Sequence, residues 1–297
     1  MVWNMDFEPP LVIEARMLSK MPNKLRRPAA NCKLQGAAFD RAGNLFLSDT
    51  PSGRILRLSR AGQWELVVET GGSPHGIAVH QDGSLWVADA RRGLLRVGPG
   101  SEAVRELLGR SANKAHLGAK DLVFDGQGNC YFTAPGNSGM HDPTGKVFRL
   151  GLDGRLDLLL SNVPGPSGIV LGRDATKLFV AVDQGNALWQ ADLGSDGSDG
   201  SIGRVCLLRS FFGGSGPQGL AMDATKHLIV AHAGLSCAFI VNMLGEITHA
   251  VQARHLRDVT SVAFRPGTEE LLLVDSQQGA IWTASMPDRA LRLFSHG

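Results

Sequence analysis

Cysteine is scarce in this 297-residue chain, with four in all at Cys32, Cys130, Cys206 and Cys237. Their wide spacing offers no C-x-x-C pair to grip zinc and no dense framework of the kind that staples small secreted domains, so they read as buried thiols in a reducing compartment. Long apolar runs are missing as well. No stretch approaches the roughly 20 residues needed to cross a bilayer. The first twenty residues carry Asp6, Glu8 and Glu14 where an export signal has a basic start and an apolar stretch. A cytoplasmic protein that engages no membrane is expected. Nor does charge of one sign dominate: 30 Lys+Arg against 28 Asp+Glu leave a formal charge of +2, which gives no electrostatic support for a nucleic-acid partner. There is no G-x-S-x-G elbow, no Walker loop and no dinucleotide fingerprint.

Helical periodicity is the last absence. Apolar residues alternate, or cluster in threes to fives between Gly and Asp turns, and never keep a 3.6-residue period over about ten residues. One short phrase recurs six times instead: Leu34-Gln35-Gly36-Ala37-Ala38, Pro74-His75-Gly76-Ile77-Ala78, Ala119-Lys120-Asp121-Leu122-Val123, Pro166-Ser167-Gly168-Ile169-Val170, Pro217-Gln218-Gly219-Leu220-Ala221 and Val259-Thr260-Ser261-Val262-Ala263. The period is about 40 to 50 residues. Each phrase leads into a turn such as Asp40-Arg41-Ala42-Gly43-Asn44 and then a second apolar run such as Leu45-Phe46-Leu47, which is a hairpin signal. Third and fourth runs follow, for example Arg54–Leu58 and Trp64–Val68. Four short strands per repeat make one propeller blade. The expected architecture is all-β, a six-bladed propeller of four-stranded antiparallel blades over residues 1–297 as a single domain. A strand near residues 10–20, with Leu11-Val12-Ile13 as its apolar run, is expected to close the ring beside the last blade.

The chain reverses at every turn of an antiparallel blade, so the start of each innermost strand and each loop between second and third strands share one end of the channel. Gln35, His75, Lys120, Asp121, Ser167, Gln218 and Thr260 are therefore expected to ring one mouth, with Asp49, Asp89, Asp183, His232 and Asp275 as an outer set. His116, His141, His232 and His255 fall at strand ends or loops of the same end. The longest of these loops, Pro135 to Pro143 around His141, is a candidate lid.

The six-fold phrase, the Asp-x-x-Gly-Asn turns, and Lys120-Asp121-Leu122-Val123-Phe124-Asp125 with Tyr131-Phe132-Thr133 resemble the senescence-marker-protein/gluconolactonase family, to which regucalcin and bacterial lactonases belong. The resemblance runs from about Leu34 onward. It implies a six-bladed propeller with a divalent ion at the axial mouth, held by Glu in the first phrase, Asn in the third and fourth, and Asp in the fifth. This chain reads Gln35, Lys120, Ser167 and Gln218 at those four places. A hard divalent cation wants several oxygens, carboxylates among them. At an effective dielectric near 20, two like unit charges about 4 Å apart repel by roughly 4 kcal/mol. No cofactor is therefore expected, with a divalent cation disfavoured and no metal ligand assigned.

The replacements point to Lys120 supplying the positive charge that the family draws from its ion, stabilising negative charge on a carbonyl oxygen. His75 or Asp121 is the acid/base, and His75 is the natural proton carrier by its ordinary pKa. Gln35, Ser167 and Gln218, with His141, His116, His232 and Thr260, are candidates to bind substrate. The expected function is metal-independent, lactonase-like chemistry on a small lactone or hydroxy-keto acid. Lyase or isomerase chemistry on a related carbonyl compound, or a non-catalytic ligand-binding or scaffold propeller, are the alternatives. A structural Lys120–Asp121 ion pair is the simplest reading of those two residues. Oligomeric state is open.

Overall fold

The computed structural model describes residues 9–27, 31–101, 103–109, 118–194 and 201–296. Six antiparallel sheets stand around an axis. Blade 1 is built from Leu34–Phe39, Leu45–Asp49, Arg54–Leu58 and Trp64–Glu69, paired in that order. The innermost strands of blades 2 to 6 are Pro74–Val79, Asp121–Phe124, Pro166–Leu171, Pro217–Met222 and Val259–Phe264. Strand residues alternate between the two faces of each sheet, so each blade buries both faces against its neighbours. Phe46, Ile55 and Val68 of blade 1 pack on Ile77, Val87 and Leu95 of blade 2, and Leu34 and Leu47 pack on Leu272 and Val274 of blade 6.

Ring closure departs in detail from the sequence pattern. Arg16–Lys20 is the outermost strand of blade 6, antiparallel to Ala280–Ser285. The apolar run Leu11-Val12-Ile13 does not join the last blade. It forms a fifth, parallel strand on blade 5 beside Ile247–Gln252. Between the two, Ala15 is buried and its N–H bonds to the Gln252 carbonyl. This keeps the chain on blade 5 until Arg16, so the amphipathic run meets an edge that still lacks a partner.

Along each innermost strand the side chains reach the axis in levels. Directly after the polar first level come Gly36, Gly76, Asp121, Gly168, Gly219 and Ser261, and here the blades touch. A Cβ on Gly36 would overlap the His75 carbonyl, one on Gly168 the Gln218 carbonyl, and one on Gly219 would lie 2.8 Å from Ser261 Cα. The two side chains at this level reach across instead. Ser261 Oγ accepts the Gly36 N–H at 2.9 Å, and Asp121 Oδ2 accepts the Ile169 N–H at 3.2 Å. We call this level the waist.

Buried carboxylates secure the crossovers between blades. Asp89 Oδ1 accepts N–H bonds from Ser73, Arg91 and Arg92 at 2.9, 2.9 and 3.0 Å, and Asp275 accepts those of Arg257 and Gln278 at 2.9 and 3.1 Å. Asp49 pairs with Arg54 at 2.8 Å. These three belong to the scaffold, since Asp89 and Asp275 are engaged by backbone N–H groups and Asp49 Oδ2 by Arg54. All four cysteines are free, Cys130 and Cys237 buried and the other two half-buried. Among the described residues no helix is long and apolar enough to cross a membrane.

The waist gives a stability prediction. A Cβ at position 76 would sit 2.7 Å from Asp121 Cα and overlap Asp121 Oδ1, so backbone would have to move. Gly76→Ala is expected to destabilise the fold by about 2–3 kcal/mol, read from urea denaturation midpoints, whereas Gly154→Ala, a turn glycine with nothing within 4 Å, should lose less despite its positive φ.

Candidate functional site

Backbone bonds fix where Lys120 stands. Its N–H donates to the Thr133 carbonyl of its own blade at 2.9 Å, and its carbonyl accepts the Gly76 N–H of blade 2 at 2.9 Å. The side chain crosses the mouth toward blades 1 and 2. Lys120 Nζ lies 2.8 Å from Gln35 Oε1 and 3.1 Å from His75 Nδ1, which is itself 2.8 Å from Gln35 Oε1. Lys120 donates to Gln35 Oε1, and the tautomer of His75 sets whether its Nδ1 donates to Gln35 Oε1 or accepts from Lys120.

Two spaces meet at this amine. Above it a cavity of about 760 Å³ opens to solvent, lined by His75, Lys120, Ser167 and Asp183 with Asn137 and Gln184. Below it, against the waist, is a chamber of about 20 Å³ lined by Gln35, Lys120, Asp121, Ser167, Gln218 and Thr260. In this chamber Gln35 Nε2 and Gln218 Oε1 are buried polar atoms with no hydrogen-bond partner among the described residues. The chamber exceeds the 10–15 Å³ or so that one water needs, and it presents one free donor and one free acceptor. The Thr260 hydroxyl donates to the Leu34 carbonyl at 3.1 Å, so it ties blade 6 to blade 1.

Burial dominates the electrostatics. Loss of water around Lys120, with Lys33 nearby, pulls its amine down to about 8 against the opposing pull of Asp183, Asp121 and Asp258. Burial pushes the Asp121 carboxyl up to about 7, although N–H bonds from Leu122 and Ile169 and the charge on Lys120 oppose the rise. Asp183 and Asp258 are raised by burial too. Burial, then Lys120 and Lys33, push His75 down to about 2. His75 is thus neutral throughout the physiological range, and the group poised near neutrality is Asp121, contrary to what an ordinary imidazole would suggest.

Sequence reasoning placed Gln35, His75, Lys120, Asp121, Ser167, Gln218 and Thr260 around one mouth, and the structure brings them together. Two histidines do not join them. His232 is buried away from the cavity, its Nε2 3.0 Å from Asn186 Oδ1 and its ring edge-on to Phe211 and Phe239; it ends a strand whose last side chain turns between blades. His141 lies exposed on its loop, outside the cavity lining. That loop is a fixed wall, because Ser138 Oγ donates to the Val163 carbonyl at 2.7 Å and accepts the Gly165 N–H at 3.2 Å. His116 lies outside the described residues. Missed altogether were Lys33, whose charge reaches Lys120 and His75, and the cavity-lining Gln184, while Asn137 figured only within the candidate lid loop. Lys33 immediately precedes the first phrase, and that adjacency was the available signal.

Comparison with known proteins agrees with this architecture. Residues 35–277 match the SMP-30/Gluconolactonase/LRE-like region. The chain belongs to this family. A lactonase drp35 from Staphylococcus aureus is 27% identical over 256 residues, covering 81% of this chain and 78% of that protein. Among solved structures, a gluconolactonase from Xanthomonas campestris superposes with a TM-score of 0.75 at 18% identity over 94% of this chain and 98% of its own. A calcium-binding regucalcin from Agrobacterium tumefaciens superposes at 0.77 with 16% identity over 96% and 100%. These superpositions establish the shared fold.

The mouth of this SMP-30/gluconolactonase member does not fit the divalent ion that the family implies. Of the four positions in question, three carry neutral side chains and the fourth an amine within hydrogen-bond distance of Gln35 Oε1. Asp121 is the carboxylate of the chamber, and one of its oxygens already holds the Ile169 N–H. The His/Asp cluster of Asp223, His227 and Asp288 lies at the other end of the propeller.

Burying the amine lowers stability in a definite pH window. Lys120 titrates near 8 when folded and near 10.4 when unfolded. The unfolded chain therefore binds more protons between those values, and stability rises with pH across them. Lys120→Met is expected to be more stable than the parent at pH 7 by about 1–3 kcal/mol, with the difference shrinking as pH is raised through 8 toward 10 in urea unfolding.

Proposed function

We propose that this protein is a lactonase-like hydrolase that opens a small lactone without a divalent cation, using the Lys120 ammonium as the electrostatic centre. The observation that carries the reading is the position of Lys120 Nζ between the open cavity and the one-water chamber, held by Gln35 and His75. A lactone in the cavity would turn its carbonyl oxygen toward the ammonium, where negative charge develops as the carbon becomes tetrahedral. A water in the chamber would donate to Gln218 Oε1, accept from Gln35 Nε2 and lie beside Asp121.

As the water oxygen forms its bond to the carbonyl carbon, the Asp121 carboxylate takes its proton. The ring C–O bond then breaks, and the leaving oxygen receives a proton from the Asp121 carboxylic acid. Lactone and water become one hydroxy acid, and Asp121 returns to its starting state. His75, neutral, keeps Lys120 in place. Ser167, at the junction of the two spaces, positions the substrate.

Lys120→Met is expected to lower kcat/KM by about 100- to 1,000-fold, and Lys120→Arg, which keeps the charge in a different shape, by less. Asp121→Asn should lower it by about 100- to 10,000-fold. Activity of Lys120→Met near that of the parent on a lactone panel would refute the mechanism. Oxygen-labelled water separates hydrolysis from elimination, since hydrolysis places the label in the product carboxylate.

The rate needs Asp121 ionised and Lys120 protonated. The pH profile of kcat/KM is therefore expected to be a narrow bell, rising near 7 and falling near 8, the two limbs belonging to the coupled pair. Chelator treatment should leave the activity intact, and elemental analysis of protein purified without chelator should find less than stoichiometric divalent metal. A stoichiometric ion at the mouth would contradict the proposal.

A further inference from the structure

Beneath the waist the channel changes character. A cavity of about 140 Å³ follows, belted by Ala38, Ala78, Val123, Val170, Ala221 and Ala263, the fourth residue of each phrase counted from its polar first-level side chain. Asp121 and Ser261 lie at its upper end, and further down it is walled by apolar side chains such as Phe39, Met222 and Phe264. The chamber above is too narrow to serve as its doorway for anything much larger than water.

The opposite end is covered by the C-terminal segment, which crosses the far mouth as a strap. The Leu291 N–H bonds to the Met222 carbonyl at 3.2 Å, the Ala290 N–H to the Thr268 carbonyl at 3.1 Å, and Arg41 Nε donates to the Ser295 carbonyl at 2.7 Å. Phe294 packs on Phe124 and His80 at 5.6 and 5.1 Å between ring centroids. Blades 1, 2, 3, 5 and 6 each hold the strap, and a ligand would enter where it lifts locally.

We propose that this axial cavity is a binding site for a small uncharged apolar molecule, about the size of a six-membered ring, admitted past the C-terminal strap. A water in the middle of the belt would find no polar side chain, whereas a buried water needs two to four polar partners. An apolar space of about 150 Å³ admits benzene or xenon and stays dry. An anionic ligand is excluded because the belt offers it no partner and Asp121 stands at the upper end. The inference stands apart from the lactonase reading, since the site lies on the other side of Asp121 and needs no chemistry at the mouth.

The test uses benzene and xenon as probes of the full-length protein. Benzene should raise the thermal midpoint saturably by about 2–4 °C, and xenon should give a saturable NMR shift of the Val262 and Leu220 methyl groups. Ala263→Leu, which fills the cavity, should abolish both effects. If that variant does not fold, Ala78→Val provides the smaller filling and should weaken them at least several-fold. Phe212→Ser, on the exposed surface, should leave both effects unchanged. No xenon shift and no thermal shift in the parent protein, or responses equal to the parent's in a folded filled variant, would overturn the proposal.

Discussion

The fold and its chemistry depend on how closely six strands can approach one axis. At the waist the backbones of adjacent blades touch, so four of the six positions there have no room for a Cβ that clears the neighbouring blade. The two exceptions, Asp121 and Ser261, are tolerated because each reaches a backbone N–H of the next blade. This contact divides the channel. Above it the inner strands begin with polar side chains that face each other across a few ångströms, and below it they continue with alanine and valine.

Compression at the waist explains why charge at the mouth behaves as it does. Six walls remove most of the water around Lys120 and Asp121, so each is shifted toward its neutral form, and two groups ordinarily more than six units apart come to titrate near 8 and near 7. Proton carriers for neutral-pH reactions are made in this way. The same walls push His75 so far that it stays neutral beside the amine. Residue type alone would rank His75 first and Asp121 last as a proton carrier, and burial reverses the order.

Much of this was legible in the sequence because the repeat is a spatial device. A phrase that returns six times must occupy equivalent places, and the alternation of strand direction fixes which ends meet, so Gln35, Lys120, Ser167 and Gln218 could be brought to one chamber without coordinates. The blade plan followed from the same periodicity. What failed did so where the repeat gives no rule. His232 ends a second strand like Asp49, Asp89 and Asp275, and strand ends of that class turn into the gaps between blades, where the aspartates secure crossovers and His232 meets aromatic rings. His141 belongs to a loop with no counterpart in other blades, so nothing in the pattern fixed its direction. Leu11-Val12-Ile13 has the apolar pattern of a closing strand, but two adjacent blades offered it an edge, and pattern alone does not choose between edges.

A cation built into the chain differs in kind from one that is bound. The ion implied by the resemblance would be held by a Glu and an Asp whose mutual repulsion it offsets, so losing the ion would leave those charges unpaired. Lys120 would need no such cage on the proposed reading, and Gln35, Ser167 and Gln218 stand in places that the family's resemblance assigns to Glu, Asn and Asp, with Asp121 as the carboxylate of the chamber. If Lys120 takes the ion's part as proposed, the replacements are coupled: an ammonium between the Glu and the Asp of the resemblance would be held by both, and neutral amides without the ammonium would leave the mouth with no positive charge to offer. On the proposed mechanism the limit would change as well. A bound ion would set activity by its supply, whereas an amine that titrates near 8 would set it by pH, with the neighbouring carboxyl near 7 bounding the same window from below.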